Sequence, residues 1–227
     1  KQQLARINSE IEVHAFARDI TAANIEELVG APDLILDGTD NFETRYLLND
    51  YAVSRDIPWI YGAAVGSYGL TLPILPHQTA CLRCLYRDPP GGTQPTCDTA
   101  GVLGTLTTLI GALQVSAALK ILVGKSDELY RGLTTVDVWS GRIRQLNPPP
   151  RDPLCPACGP SPNYEFLDGD RRTPVSLCGR NAVQIHLRNS LNLAELATRL
   201  APLAPVKANE FALRFFPDPY ELTIFPD

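Results

Sequence analysis

The sequence predicts an α/β fold: an open, mostly parallel sheet of the doubly wound type with a four-cysteine zinc site, followed by a small α+β appendage. Short apolar runs alternate with helical patterns along the first part of the chain, as in α/β sheets. Two Cys-x-x-Cys pairs flank residues 85–154. Beyond residue 160 the patterns become shorter, which predicts domains over 1–160 and 161–227.

Composition indicates a globular protein with a core. The 227 residues are 44% hydrophobic and 20% charged. The net charge of −5 argues against a nucleic-acid surface, which needs a basic patch. Paired cysteines without a signal peptide predict a cytoplasmic protein with metal-bound thiols. The chain lacks methionine and opens on an uncapped helical pattern over 1–7, so we expect an internal fragment of a longer protein.

The elements before the first cysteine pair follow from the spacing of apolar residues. Residues 10–16 alternate apolar and polar, which predicts a half-buried strand. Residues 21–30 predict a capped helix that ends in glycine. The next elements are a buried strand over 33–37, a helix over 41–55, a buried strand over 58–62 and a strand over 67–75. Together they predict a Rossmann-like sheet.

A long helix is predicted over residues 101–124. The stretch between Asp98 and Lys120 carries no charge and is long enough to cross a bilayer. Its threonines, Gln114 and Ser116 would then need hydrogen-bond partners in lipid. A helix in the core or at a subunit interface is therefore the favoured interpretation, and no membrane partner is expected.

The remaining patterns predict short strands and one helix. Residues 134–139 and 142–146, separated by Ser140-Gly141, predict a hairpin. The appendage is predicted from strand patterns over 175–187, 211–216 and 220–225 around a helix over 191–200.

Two cysteine pairs predict a metal site, Cys81-Leu82-Arg83-Cys84 and Cys155-Pro156-Ala157-Cys158. A two-residue gap lets both thiolates of a pair face one tetrahedral ion, and two pairs complete a structural zinc site. An iron site of the rubredoxin kind and two disulfides are the alternatives. Because the pairs are far apart in sequence, the metal would cross-link two distant segments and stabilise the fold.

Acidic residues follow the buried strand over 33–37. In open α/β sheets ligands bind at the carboxyl ends of strands, where Asp37 and Asp40 are placed. Asp40 also stands at the predicted start of a helix. A carboxylate beside a triphosphate is a natural Mg²⁺ ligand. The alternative interpretation is that Asp40 caps the helix.

Several motifs resemble one family. They are Asp37-Gly38-Thr39-Asp40-Asn41-Phe42-Glu43-Thr44-Arg45, Leu48-Asn49, Gly62-Ala63-Ala64, the two cysteine pairs, and Cys97 followed by Ala100-Gly101-Val102-Leu103-Gly104. In this order they resemble the ThiF/MoeB/HesA family of ubiquitin-activating-enzyme-like adenylyltransferases over about residues 1–160. Residues 178–184 are similar to an extension found in relatives of the thiamine branch. The family's glycine-rich phosphate loop precedes the region present here.

The resemblance implies a reaction and its cofactors. The family transfers AMP from ATP to the C-terminal Gly-Gly carboxylate of a ubiquitin-like sulfur carrier protein (ThiS/MoaD-like) and releases pyrophosphate. The pathways are thiamine, molybdopterin or thiolated-tRNA synthesis. By motif, Asp40 would bind Mg²⁺ and ATP, and Asn41 would lie against the nucleotide. Arg45 would reach the phosphates or pair with Asp37 or Asp40.

Cys97 has two interpretations. It lies in the loop over 87–99, near the amino end of the long helix, whose dipole favours a thiolate. The resemblance implies a thioester or persulfide with the carrier, and the alternative is an ordinary loop thiol. The resemblance also implies a cysteine desulfurase or rhodanese as sulfur donor, and a homodimer.

Two other functions compete with the adenylyltransferase. A zinc-bearing, catalytically inactive scaffold could dock a carrier or a partner subunit, and the residues encoded upstream would distinguish it from an enzyme. A nicotinamide-dependent dehydrogenase is disfavoured because the chain contains no Gly-x-Gly-x-x-Gly.

Overall fold

The computed structural model describes residues 1–90, 95–147, 150–169, 175–177, 182–184 and 191–226. The chain divides into two compact units, Lys1–Gln184 and Ile185–Asp227. Residues 161–169, which follow the predicted boundary at 160, are in the first unit, because Phe166 packs in its core.

The first unit is built on a five-stranded sheet in the order β1-β2-β3-β4-β5. Its strands are β1 (Ile35–Leu36), β2 (Trp59–Val65), β3 (Tyr68–Ile74), β4 (Leu133–Asp137) and β5 (Arg142–Leu146). Only the β1–β2 pair is parallel among the pairs described. The predicted α/β sheet is confirmed, but its pairing is mixed rather than mostly parallel. For β2–β3 and β4–β5 the physical reason is a short turn, such as Gly66-Ser67, which can join only antiparallel neighbours.

The helices of the first unit are α1 (Gln2–Ile7), α2 (Ile25–Val29), α3 (Phe42–Ser54), α4 (Leu82–Leu85), α5 (Cys97–Ala100) and α6 (Gly104–Leu122), and a 3₁₀ turn spans Ser126–Glu128. The helices predicted over 21–30, 41–55 and 101–124 are therefore confirmed, with shorter bounds. The strand predicted over 10–16 is wrong. These residues are exposed except Val13, and they have no ladder partner in the described part of the chain, without which a strand is not stable.

Helices α3 and α6 pack on opposite faces of β2, because successive side chains of a strand alternate between faces. Trp59 and Tyr61 belong to the main core cluster, which includes much of α3 and the cysteine segments. Ala64 packs in a separate cluster with Leu106 and Ile110 of α6. Residues 37–40, which follow β1, therefore lie between the layer of α3 and the layer of α6.

Helix α6 buries one stripe and exposes the other. Its buried residues recur every four positions, namely Leu106, Ile110, Gln114 and Ala118. On the opposite side Leu119 is 57% exposed. By length and composition alone α6 could cross a membrane. The prediction of a packed helix thus holds for the stripe that faces β2 and β3.

The helix predicted over 191–200 and the strands predicted over 211–216 and 220–225 are present in the second unit, whereas the described strands within 175–187 belong to the first unit. In the second unit, helix α7 (Leu193–Leu200) packs on a sheet of β8 (Val206–Ala208), β9 (Leu213–Phe215) and β10 (Leu222–Ile224), in the order β10-β9-β8. At the end of the first unit, β6 (Val175–Leu177) and β7 (Ala182–Gln184) form an antiparallel pair. The rest of the pattern predicted over 175–187, and residues 178–181 of the tail resemblance, lie outside the described residues.

Candidate active site and metal centre

The four paired cysteines come together in one cluster. Their sulfur atoms all lie within 4.8 Å of one another. The Cys81–Cys84, Cys81–Cys155 and Cys84–Cys158 sulfur separations are 3.9, 3.6 and 3.3 Å. A disulfide needs about 2.05 Å, so the disulfide alternative does not describe this cluster.

The cluster has the geometry of a metal site. Four sulfurs at about 2.3 Å from a tetrahedral ion are about 3.8 Å apart, close to the separations found. Backbone N–H groups of Asp152 and Cys158 donate to the sulfurs of Cys84 and Cys155 at 3.4 and 3.5 Å. Such donors stabilise thiolates, so the donor set fits a divalent cation that prefers sulfur.

Helix α3 anchors the first cysteine pair. The Asn49 side chain, which is fully buried, accepts a hydrogen bond from the backbone N–H of Leu82 at 2.9 Å. The next residue of the helix, Asp50, places a carboxylate oxygen 3.7 Å from Arg83, which lies between the two cysteines. The pair is therefore fixed to α3 by a side chain on each of two successive residues.

Arg83 also connects the two cysteine segments. Its guanidinium is 2% exposed, lies 3.2 Å from the Glu165 carboxylate, and stacks over the Phe166 ring at 5.2 Å. Asp50 accepts from the Phe166 N–H at 3.2 Å. Burial raises the pKa of Asp50 to about 7, while the Arg83 charge opposes that rise. The residues after the second pair are thus tied to those of the first by buried polar contacts.

A tight turn over residues 37–40 leaves the end of β1. The buried Asp37 carboxylate accepts from the Thr39 N–H at 2.8 Å and from the Thr39 hydroxyl at 2.7 Å. Burial raises the pKa of Asp37, and the neighbouring Arg45 charge lowers it. The Asp37 carboxylate therefore stabilises the turn through two hydrogen bonds within it.

Arg45 is a buried partner of this turn. Its side chain is 9% exposed, and Nε lies 3.6 Å from Asp37. Nη2 donates to the Thr39 carbonyl at 2.6 Å, and the guanidinium lies over the Phe42 and Tyr61 rings at 5.5 and 5.4 Å. Of the two interpretations made from the sequence, the structure shows the pairing with Asp37.

The structure shows which of Asp40 and Asn41 caps helix α3 and which leaves its side chain exposed. Asn41 is the N-cap of α3, and its side-chain oxygen accepts from the Thr44 N–H at 2.8 Å. The alternative in which Asp40 caps the helix is therefore wrong, because the cap lies one residue later. The exposed Asp40 carboxylate accepts only a long hydrogen bond, 3.3 Å, from the Asn41 side chain among its described contacts. Its remaining lone pairs face solvent at the rim of the sheet.

Cys97 begins a short helix of its own. It is half-buried at the first position of the four-residue helix α5, which Thr96 caps. The long helix α6 begins at Gly104, seven residues after Cys97. Sγ donates to the Ala64 carbonyl at 3.7 Å. The thiol therefore rests against the last part of β2.

One edge of β2 brings the candidate residues together. Alternate carbonyls of a strand point to the same side, and the Ile60 carbonyl accepts from the Asp37 N–H on the β1 side. Beyond the end of β1, three other groups donate hydrogen bonds to successive carbonyls on this side of β2. The Arg45 guanidinium donates to the Gly62 carbonyl, and the Cys97 thiol donates to the Ala64 carbonyl. The Leu103 N–H donates to the Gly66 carbonyl. Successive carbonyls on one side are about 6.6 Å apart. Arg45 and Cys97 are therefore neighbours along the rim.

Gln114 is a site residue that sequence reasoning missed. Its side-chain N–H group donates to the carbonyls of Asp37 and Ile60 at 2.9 and 3.0 Å, from a residue 77 positions after Asp37. The signal available in the sequence was a lone amide in an otherwise apolar helical stripe. The sequence also did not predict that Asn49 binds the Leu82 N–H and so anchors the first cysteine pair, although Asn49 belongs to the Leu48-Asn49 motif.

Comparisons with known proteins identify relatives over most of the chain. A family model described as the ThiF family matches residues 1–157. The sulfur carrier protein ThiS adenylyltransferase of Bacillus subtilis is 37% identical over 232 residues, covering 100% of this chain and 68% of that protein. A sulfur carrier protein adenylyltransferase of Thermus thermophilus is 35% identical over 174 residues, covering 74% of this chain and 64% of that protein.

Further comparisons agree with the described fold. The SAMP-activating enzyme E1 of Haloferax volcanii is 34% identical over 154 residues, 67% of this chain and 56% of that protein. The chain thus spans between about half and two thirds of the length of these three relatives. A solved structure of E. coli MccB superposes with a TM-score of 0.59 at 21% identity, covering 71% of this chain and 49% of that chain, which shows a shared fold.

Proposed function

The chain belongs to the ThiF family, as its motifs indicated, and we propose that it forms the Asp40-bearing part of an enzyme that adenylylates a ubiquitin-like sulfur carrier protein. Its named relatives are sulfur carrier protein adenylyltransferases, that is, nucleotidyltransferases. In the proposed reaction the C-terminal Gly-Gly carboxylate of the carrier attacks the α-phosphorus of ATP. AMP is transferred to the carboxylate, and pyrophosphate leaves.

The observation that carries the proposal is the Asp40 carboxylate. It is exposed at the carboxyl end of a buried strand, is not used as the helix cap, and is oriented by Asn41. Carboxylate oxygens suit Mg²⁺, which takes one or two of them together with phosphate oxygens. When bound, Mg²⁺ would neutralise charge on the phosphates. We assign Asp40 as its ligand, with Asn41 beside the nucleotide.

Cys97 is proposed as a second catalytic residue. Its position on the β2 edge, one carbonyl beyond the contact of Arg45, supports a role near the activated carboxylate. After deprotonation its sulfur would attack the carrier carbonyl of the acyl adenylate, forming a thioester and releasing AMP. In the persulfide variant of this role, Cys97 would first take the terminal sulfur of a donor persulfide, which leaves as a thiol. The Cys97 persulfide would then attack the same carbonyl and release AMP. Cys97 thus acts after adenylylation.

The cysteine cluster is proposed to hold a structural zinc ion. Four thiolates close the coordination sphere and leave no position for a substrate. The role proposed for the metal is therefore to hold two chain segments together.

The partners follow from the same proposal. A cysteine desulfurase or a rhodanese would supply the sulfur, and the carrier would serve thiamine, molybdopterin or tRNA-thiolation chemistry. We propose a homodimer in the cytoplasm, where thiols such as these remain reduced.

ATP–pyrophosphate exchange with a carrier protein tests the proposal on the complete polypeptide. The wild type should exchange label in a carrier-dependent manner, and Asp40→Ala should abolish exchange while leaving the melting temperature unchanged. Asp33→Ala is the matched control, because Asp33 is an exposed aspartate before the other end of β1.

Two outcomes would contradict the proposal. Full exchange in Asp40→Ala would refute the assignment of that residue. A folded wild type that binds the carrier but never exchanges label would instead support the inactive scaffold.

A further inference from the structure

Helix α6 contains one buried polar side chain that its packing does not require. Gln114 is 8% exposed, and the other buried residues of the stripe are apolar. An apolar residue would pack a helix on a sheet without burying an amide, whose desolvation is unfavourable unless it is hydrogen-bonded. The contacts of Gln114 therefore indicate what it does.

Gln114 joins the carboxyl end of β1 to the neighbouring parallel strand β2. Its Nε2 donates to the Asp37 carbonyl at 2.9 Å and to the Ile60 carbonyl at 3.0 Å. The Ile60 carbonyl also accepts from the Asp37 N–H, so it has a ladder partner without Gln114. The Asp37 carbonyl, by contrast, has Gln114 as its donor among the described hydrogen bonds. Gln114 thus fixes the first peptide of the turn over 37–40.

Strand β2 is shaped to admit this side chain. A Cβ atom on Gly62 would lie 2.5 Å from Nε2 and 2.8 Å from Cδ of Gln114. Only glycine leaves the amide room to pass the strand and reach the Asp37 carbonyl. Gly62 and Gln114 therefore form a matched pair, although 51 residues separate them in the sequence.

The turn is held from both faces of the sheet. Gln114 of α6 binds the Asp37 carbonyl, and Arg45 of α3 binds the Thr39 carbonyl, the last one before Asp40. Between these two points the Asp37 carboxylate binds the Thr39 N–H and hydroxyl. The backbone entering Asp40 is consequently fixed at each end, while the Asp40 side chain stays exposed.

We propose that Gln114 is a positioning residue for the adenylylation site, which fixes the turn over 37–40 and so sets the direction of the Asp40 carboxylate. This inference rests on the proposed function. Mg²⁺ demands near-ideal octahedral geometry, and a misplacement of about 1 Å far from the reacting atoms can reduce a rate by about 100-fold. The described hydrogen bonds of Gln114 go to backbone carbonyls, so its proposed effect passes through the turn.

The test compares Gln114→Met with Ser116→Ala in the complete polypeptide. Methionine keeps the length of the side chain and the helix propensity but removes the donor. Ser116 is exposed on the same helix, and its side chain donates to the Ala112 carbonyl among the described hydrogen bonds, so it serves as the matched control.

Two readouts are expected to change in Gln114→Met only. Amide hydrogen exchange over residues 37–41 should accelerate by at least about tenfold, because the turn opens locally. The kcat of carrier-dependent ATP–pyrophosphate exchange should fall about 10- to 100-fold, with a higher Mg²⁺ concentration needed for half-maximal rate and an unchanged KM for the carrier. Metal content of the cysteine cluster should stay the same. If Gln114→Met does not fold, Gly62→Ala displaces the same amide and should give the same two changes.

The outcomes separate this inference from the proposed function. Wild-type protection of the turn in folded Gln114→Met or Gly62→Ala would overturn the inference, and so would a wild-type kcat. If Asp40→Ala abolishes exchange while Gln114→Met does not affect it, the function stands and the positioning role is wrong. If the wild type itself shows no exchange activity, both are wrong.

Discussion

The cysteine cluster and the turn over 37–40 are built in opposite ways. At the cluster, Cys81, Cys155 and Cys158 are buried, and the intervening Arg83 is 2% exposed with several polar partners. At the turn, the backbone is held by buried groups, but Asp40 itself is exposed and has one long hydrogen bond among its described contacts. The several buried contacts at the cysteine cluster indicate a structural role. The turn over 37–40, where the backbone is fixed and the Asp40 carboxylate is exposed, indicates a chemical role.

This difference predicts how each region responds to substitution. Substitutions at the cluster should lower the free energy of unfolding and reduce activity only as far as the fold is lost. Substitutions at the turn should reduce activity with little change in stability. Four substitutions, taken from the largest expected effect to the smallest, test that division.

Cys81→Ser should have the largest effect. A structural zinc site contributes an apparent free energy of about 10–16 kcal/mol, comparable to the whole stability of a domain, about 5–15 kcal/mol. The first unit should therefore fail to fold, and elemental analysis should find about one zinc per chain in the wild type and none in the variant. Cys97→Ser is the control that keeps the metal. A Cys81→Ser protein with wild-type metal content and melting temperature would contradict the assignment.

Arg83→Met should be next, at about 3–5 kcal/mol, because it leaves the Asp50 carboxylate buried without its cation. Arg55→Met is the matched control. Arg55 pairs with Glu26 on the surface, where an ion pair contributes about 0–1 kcal/mol. Urea unfolding of the two variants measures the difference, and equal losses would contradict the buried role of Arg83.

The free energy of unfolding of Arg83→Met should depend on pH, and the raised pKa of Asp50 gives the sign of that dependence. Burial already raises the pKa of Asp50 to about 7 in the folded protein, against an ordinary value of 3.8. Between these values the folded protein holds a proton that the unfolded chain does not. Arg83→Met removes the charge that opposes this rise, so the variant should regain stability as the pH falls from above 7 toward about 4, and adding Asp50→Asn should remove that dependence.

Asn41→Ala should reduce stability by only about 1 kcal/mol, the usual effect of losing an N-cap. It should also reduce pyrophosphate exchange, because the Asn41 side chain no longer orients Asp40. Asn41→Asp retains a capping oxygen and should restore the melting temperature but not the contact to Asp40. If Asn41→Asp restores both properties, the orienting contact has no catalytic role.

Cys97→Ser should change stability least, because the thiol makes a single weak hydrogen bond to the Ala64 carbonyl among its described contacts. Pyrophosphate exchange should persist, while the covalent linkage to the carrier, detected by mass spectrometry, should disappear. Loss of exchange as well would assign Cys97 an earlier role than the one proposed.

Local patterns in the sequence predicted most elements and one of the two sites. The spacing within each cysteine pair predicted the four thiols that cluster, because a Cys-x-x-Cys knuckle is a local structure. Apolar periodicity predicted α3, α6 and the hairpin of β4 and β5. The strand expected over 10–16 shows the limit of this reasoning: alternation gives a segment two faces but supplies no neighbour to complete the ladder.

Apart from the meeting of the two cysteine pairs, contacts between distant residues were not predicted. The cap of α3 was ambiguous because Asp40 and Asn41 are both good capping residues, and only the course of the chain places the boundary between them. Gln114 meets Asp37 across 77 positions, so nothing in either local sequence marks the contact. The family motif named Arg45, but its burial against Asp37 emerged only from the packing of α3 on the sheet.

Helix α3 has a consequence for the maturation of the protein. Arg45, which binds the Thr39 carbonyl, and Asn49, which binds the Leu82 N–H, are four residues apart, about 6 Å along one rigid axis. On the proposed zinc assignment, a chain without the metal would hold the Leu82 segment less firmly against Asn49, and through α3 the Arg45 guanidinium as well. If the proposed function holds, filling the cysteine site would thus precede formation of the adenylylation site.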